Sequence, residues 1–227
     1  MKTTGPNNQV VYQVAETLKE SYKDFAHHNK KNPLNELIFI LCTVKTTHRN
    51  YTAIYRALKQ KIPTFTMLHA TSVEAVAEVI KEGGLSNQRA QAIKEILEII
   101  TSRFGKPTLA PLRKMDDSDC EEFLMTLPRV GKKVARCVML YSLGRKVFPV
   151  DTHCWRICQR LGWIDITRRG KACTERDMDL IQDQIPSEIR FSLHVNMVSL
   201  GREICTAIKA NCAACPIHMY CGKRLFE

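Results

Sequence analysis

Apolar residues recur at spacings of three and four along almost the whole chain, and alternating strand-like runs are scarce. That period stacks side chains on one face of an α-helix, so an all-α fold is expected. Val10, Val14, Leu18 and Tyr22 form one stripe, and Leu37, Ile40, Leu41 and Val44 a second. Val73, Val76, Val79 and Ile80 follow a Thr71/Ser72 cap candidate. Ala90, Ile93, Ile96, Leu97 and Ile100 make a longer helix that Gly105 and Pro107 end. A loop over 105–116 closes on Asp116, Asp117 and Ser118 as cap residues; further helices are expected at about 118–126, 132–143, 151–161, 175–184 and 188–203.

Charge narrows the partner. Thirty-four Lys and Arg against 23 Asp and Glu leave a net +11, a balance that favours a polyanion, most often nucleic acid. The 227 residues suit one bilobed unit or two modest lobes, and 44% hydrophobic content can fill a core. The N-terminal M-K-T-T-G-P-N-N-Q carries no apolar run, and no stretch approaches the ~18 apolar residues of a membrane span. An intracellular, reducing location is expected, where ten cysteines point to metal binding or buried thiols rather than a disulfide framework.

Residues 127–135 read L-P-R-V-G-K-K-V-A. A tight turn running into a helix N-terminus presents backbone N–H groups to a phosphate, and glycine lets that phosphate come close. An ordinary corner between two helices has the same local signature. The adjacent lysines are not equivalent by periodicity. Val134, Cys137, Val138 and Tyr141 define the expected buried stripe. Lys132 falls opposite it, beside Arg136, and is expected to be solvated and open to phosphate. Lys133 falls at its edge, where partial desolvation favours a nucleophilic amine.

Eighteen residues after Lys133, F-P-V-D-T-H-C-W-R places Asp151 before a helix with Trp155, Cys158 and Leu161 as its apolar positions. Asp151 fits an N-cap. It also fits a rigidly held carboxylate that moves protons and stabilises a developing cation beside an amine nucleophile. Further on, Cys205, Cys212, Cys215 and Cys221 are spaced C-x6-C-x2-C-x5-C. One C-x2-C pair with two flanking singles fits a [4Fe–4S] loop better than the paired C-x2-C of a zinc ribbon. The scattered Cys42, Cys120, Cys137, Cys154, Cys158 and Cys173 read as small core residues.

Taken in order, L-P-R-V-G-K-K-V-A, V-D-T-H and the cysteine loop resemble the endonuclease III family of helix–hairpin–helix DNA glycosylases, from about Leu34 to Cys221. The resemblance implies a bilobed all-α fold. A six-helix barrel lobe would span 35–145, and an iron–sulfur lobe would combine 1–34 with 146–227. It implies a monomer acting on double-stranded DNA that carries a lesion or modified base. Lys133 would be the catalytic amine and Asp151 the catalytic carboxylate, with the four cysteines holding a [4Fe–4S] cluster. The implied reaction removes a base, with a pyrimidine expected, through a Schiff base at C1′ of a flipped-out nucleotide, then cleaves the strand by β-elimination.

Implied DNA contacts are Leu127, Arg129, Val130, Gly131 and Lys132 in the hairpin, Leu85 of G-G-L-S-N as an apolar wedge, and Lys45, His48 and His153. Two departures stand out. Arg129 replaces the first hairpin glycine, where a positive φ or a rebuilt turn is expected. In L-C-T-V-K-T-T-H, Val44 or Lys45 stands where the family has Gln, and Thr47 or His48 where it has Asp. The family's usual oxidised-pyrimidine substrate is therefore not implied. Residues 148–163 also resemble the plant DEMETER-type 5-methylcytosine glycosylases, which are far larger. The competing readings are a non-catalytic hairpin module that binds distorted DNA and a zinc-dependent nucleic-acid-binding protein.

Overall fold

The computed structural model describes residues 6–25, 27–43, 48–168 and 170–222. These form eleven α-helices and short 3-10 turns, with no strand among the described residues. In chain order the helices are α1 (Asn8–Tyr22), α2 (Pro33–Thr43), α3 (His48–Lys61), α4 (Phe65–Ala70), α5 (Val73–Val79) and α6 (Ser86–Phe104). Then come α7 (Asp117–Met125), α8 (Lys132–Leu143), α9 (Thr152–Leu161), α10 (Glu175–Asp183) and α11 (Arg190–Glu203). Caps set many of the starts. Ser72, Asp116 and Asp151 each accept a hydrogen bond from a first-turn N–H, and Thr174 with Asp177 forms a reciprocal capping box. No helix among the described residues is long and apolar enough to cross a membrane.

The chain divides into two compact units, Met1–His28 with Lys146–Glu227, and Asn29–Arg145. In the first, α11 is buried continuously from Leu193 to Gly201 and packs against α1 and α9. A stretch covered on every side has no polar face, so its polar members are buried with partners: Asn196 donates to Asp24, His194 meets the Cys154 thiol and Ser199 meets His27. Val11, Val14 and Leu18 of α1 and Cys154, Ile157 and Cys158 of α9 meet it in one core. Gly201 permits the approach of α9: a Cβ there would fall 2.6 Å from the Cβ of His153.

In the second unit, α8 packs against α2 and α7, and α6 against α5 and α4. The structure corrects the expected burial of α8. Ala135 through Leu140 are all buried, while Val134 and Tyr141 are only half-buried. Arg136, placed by period on the wet side, is 3% exposed. Cys42, Cys120, Cys137, Cys154 and Cys158 are buried thiols, and Cys173 is half-buried.

Candidate active site and cysteine centre

Helix α7 ends at Met125, and the chain turns through buried Leu127 and Val130, the Val130 N–H donating to the Leu127 carbonyl at 3.1 Å. Arg129 takes φ 62°, the left-handed conformation that lacks steric cost only for glycine. Gly131 then caps α8 in extended conformation with no side-chain cap, and a Cβ added there would meet nothing within 4 Å. The front of this helix is thus sterically open to a phosphate.

Lys133 is the second residue of α8 and is half-buried. Lys132 departs from its expected solvated position. Its side chain is 14% exposed, and its ammonium lies 3.6 Å from Glu121 of α7. The same carboxylate accepts from Nε of Arg136 at 2.7 Å. Glu121 therefore gathers the two cations that periodicity alone assigns to solvent.

The G-G-L loop is braced from within. Buried Arg89 of α6 donates through Nη1 to the carbonyls of Gly83 at 2.8 Å and Gly84 at 2.7 Å. A Cβ on Gly83 would press against Ile54 and lie 2.5 Å from that Nη1. The loop so held presents Leu85 at φ 52° with 45% of its surface exposed. Arg129 also reaches this region, its Nη2 standing 3.3 Å from the Gln88 Oε1. The two share a groove of about 540 Å³ with Val73, Glu74, Asn87 and Gln91. Lys45, Val44 and Thr47 lie outside the described residues. His48 opens α3, with its side chain outside them as well.

In the other unit, Asp151 is the N-cap of α9, its Oδ1 accepting from the Cys154 N–H at 2.8 Å. His153 follows on the first turn. Arg156 donates to its Nδ1 at 3.1 Å and to the Gly201 carbonyl at 3.0 Å. Burial holds the His153 imidazole below its ordinary range, with Asp151 pulling the other way. His27 is a neighbour of the same charges: burial lowers it, while the Val195 carbonyl and Asp151 raise it.

The four cysteines of the C-terminal loop line one cavity of about 40 Å³ together with Arg160, Ile204 and His218. Arg160 Nη1 donates to the Cys205 Sγ at 2.9 Å, and the Cys221 thiol donates to the Arg160 carbonyl at 3.3 Å. Burial pushes the Cys215 thiol up, and so does its nearness to Cys205 and Cys212. Cys221 is raised first by burial and then by Cys205, Cys215 and Cys212. Tyr22, at the end of α1, is pushed up to about 12 by burial, Glu203, Cys215 and Cys205. Among the described residues no three His, Cys, Asp or Glu side chains converge as a single ion requires. The thiols ring a cavity instead, and the Arg160 guanidinium would offset part of a thiolate cage's charge.

Sequence reasoning passed over Glu36, Arg89 and His27. Glu36 is a wholly buried carboxylate on α2. Its signal was its isolation as the one charge in P-L-N-E-L-I-F-I-L-C. Arg89 had no signal beyond a basic residue on an apolar stripe, and His27 had none.

Comparison with known proteins identifies the family. The family model for "HhH-GPD superfamily base excision DNA repair protein" matches residues 38–182. Endonuclease III of Thermotoga maritima is 28% identical over 209 residues, 92% of either chain. DEMETER-like protein 2 of Arabidopsis thaliana is 30% identical over 167 residues, 68% of this chain. This chain spans only 9–12% of the length of such plant relatives. A solved non-covalent endonuclease III–DNA complex superposes with a TM-score of 0.81 at 23% identity, covering 96% of each chain, so the all-α fold is the endonuclease III fold. The hairpin-bearing segment falls inside the matched region, and the chain belongs to the HhH-GPD superfamily of base excision DNA repair proteins.

Proposed function

We propose that the chain is a bifunctional DNA glycosylase and AP lyase. It takes double-stranded DNA as substrate and removes a damaged, mismatched or modified base, with pyrimidines the leading class. The observation that carries this reading is Lys133 in the first turn of α8, directly behind a turn whose Gly131 leaves room for a phosphate.

In this reading the neutral Lys133 amine attacks C1′ and forms a C–N bond. The glycosidic bond breaks with its electron pair going to the departing base, which takes up a proton. Opening of the sugar leaves a Schiff base. Loss of a C2′ proton then expels the 3′ phosphate and cuts the strand. Asp151, fixed as the α9 cap, stabilises the developing positive charge and carries protons. Leu85 fills the gap left by the flipped nucleotide, and the hairpin from Leu127 to Gly131 grips the backbone. The ion pair to Glu121 reduces what Lys132 can give to a phosphate. His153, on the first turn of α9 behind Asp151, adds a DNA contact.

Cys205, Cys212, Cys215 and Cys221 are the residues that would hold a [4Fe–4S] cluster, which would clip their loop into one shape. Arg160 would temper its charge, and Lys209 and Arg202 would face DNA phosphates.

Borohydride reduction in the presence of abasic-site DNA tests the chemistry. A covalent adduct is expected for the wild type and none for Lys133→Ala. An adduct that survives that change would remove Lys133 from the role. DNA binding with no adduct and no turnover on a lesion panel would make the chain a binding module instead. Thymine glycol, G·T and G·U mismatches, 5-methylcytosine and 8-oxoguanine in that panel identify the base.

A further inference from the structure

Arg129 stands in the hairpin turn at φ 62°, a conformation that is costly for any residue with a Cβ. Strain that the fold does not compensate is a pointer to function. Here the compensation is small. Among the described residues its side chain has one hydrogen-bond partner, Nη2 donating to the Gln88 Oε1 at 3.3 Å on an exposed surface. That contact is long and neutral, and it leaves the rest of the guanidinium fork open. It does fix where the fork points. Gln88 lies in the first turn of α6, three residues after Leu85, which caps that helix. Residues three apart on a helix share a face, so the guanidinium stands beside the apolar wedge.

The groove of about 540 Å³ beside Arg129 has room for a nucleobase. Asn87, Gln88, Gln91 and Glu95 line it from α6, and Glu74 lines it from the first turn of α5. All five are exposed. Gln91 donates to one Glu95 oxygen at 2.7 Å. Next to Gln88 in sequence, buried Arg89 holds the carbonyls of Gly83 and Gly84. One braced element therefore carries both the wedge and a wall of the groove.

The lining selects the occupant. A phosphate would meet Arg129 but also two carboxylates, Glu74 and Glu95, that repel it. A base carries no charge, and its edges can use both signs. Guanine fits this pairing. Its N7 and O6 are adjacent acceptors that match a guanidinium fork, and its N1–H and N2–H donors match a carboxylate or an amide oxygen. Adenine sets a donor beside its N7, and neither pyrimidine has two adjacent acceptors on that edge. A flipped nucleotide leaves its partner base without a mate, across the gap that the wedge fills. Resting on the reading of the chain as a base-flipping glycosylase, we propose that this groove is a second base site, which takes an unpaired guanine opposite the excised base. Arg129 is its specificity-determining residue, and Gln88 is the side chain that aims it.

Binding to uncleavable duplexes tests this apart from the chemistry. Each duplex carries a tetrahydrofuran abasic analogue opposite G, A, C or T, and fluorescence anisotropy gives the four Kd values. The wild type is expected to hold the duplex with opposing guanine about tenfold tighter than the other three. Arg129→Gly, which relieves the turn, should collapse that ratio towards one, and Gln88→Ala should narrow it. Equal Kd values for the wild type on all four duplexes overturn the proposal. So does an Arg129→Gly protein that binds all four more weakly by one common factor, with a salt dependence shallower by about one phosphate, because Arg129 would then be a backbone contact. Leu85→Ala is expected to weaken all four alike and keep the ratio. A ratio lost in Leu85→Ala but kept in Arg129→Gly would assign the discrimination to the wedge and overturn the proposal. None of these readouts needs Lys133. If the wild type forms no borohydride adduct, the Schiff-base reading fails, while the opposing-base preference still decides the groove.

Discussion

Arg202 donates to Nδ1 of His27 across 3.0 Å, and the opposite ring nitrogen meets the Val195 carbonyl at 2.9 Å. A guanidinium can only donate, so Nδ1 must be the acceptor and Nε2 must carry the hydrogen. The ring is held neutral, first by burial, and its pKa lies below the ordinary imidazole value of 6.5. His153 is shifted in the same direction. Below the unfolded value the unfolded chain binds more protons than the folded one, so stability present above it drains away as pH falls. Urea midpoints should drop between about pH 7.5 and pH 5.5, and His27→Gln should flatten that slope. An unchanged slope would mean His27 is not the titrating group.

Arg129→Gly should raise stability by about 1 kcal/mol, because φ 62° is held by a residue with a Cβ. The lost contact to Gln88 is exposed and 3.3 Å long, so it offsets little. Chemical denaturation measures the gain. Gly131→Ala should leave the fold intact, since the added Cβ meets nothing, yet weaken DNA binding in a fluorescence titration.

Gly201→Ala should cost about 1–3 kcal/mol through overpacking against His153. The strain falls on the first turn of α9, so the rate of borohydride trapping should drop along with Tm. Loss of stability at full trapping rate would show that the Asp151 cap tolerates a shift of its helix.

Lys132→Gln and Lys133→Gln should separate cleanly despite their adjacency. The first removes a partner from Glu121 and should lower Tm modestly while the trapped adduct still forms. The second should abolish the adduct.

Cys212→Ser should lose bound iron and acid-labile sulfide on anaerobic purification and should melt earlier. Cys154→Ser, deep in the core against α11, should keep both. Equal iron in the two variants would detach the C-terminal loop from metal binding.

Much of the fold was legible because its helices announce themselves locally. Ser72, Asp116 and Asp151 cap where cap residues were expected, and the α8 and α11 spans follow from periodicity. The error at Lys132 has a different origin. Period assigns a residue to a face of its own helix, but not what another helix lays on that face. Here α2 and α7 cover α8 from two sides, and Glu121 comes with α7. The segment after α1 was equally unreadable. Lys23, Asp24, His27 and His28 all take positive φ without a glycine among them. Asp24 pins that path by accepting from Ser192 at 2.6 Å and Asn196 at 2.8 Å, contacts that no local rule anticipates.

Those contacts join residues separated by 168 and 172 positions, and α1 lies on α11 in a unit built from two separate stretches of sequence. On a ribosome, the intervening unit leaves the exit tunnel whole before α11 is made. The apolar stripe of α1, with Val11, Val14 and Leu18, has to wait without its native cover throughout. Helix α1 is made before the intervening unit but packed only after it, and a cell making this protein must protect its apolar stripe until α11 follows.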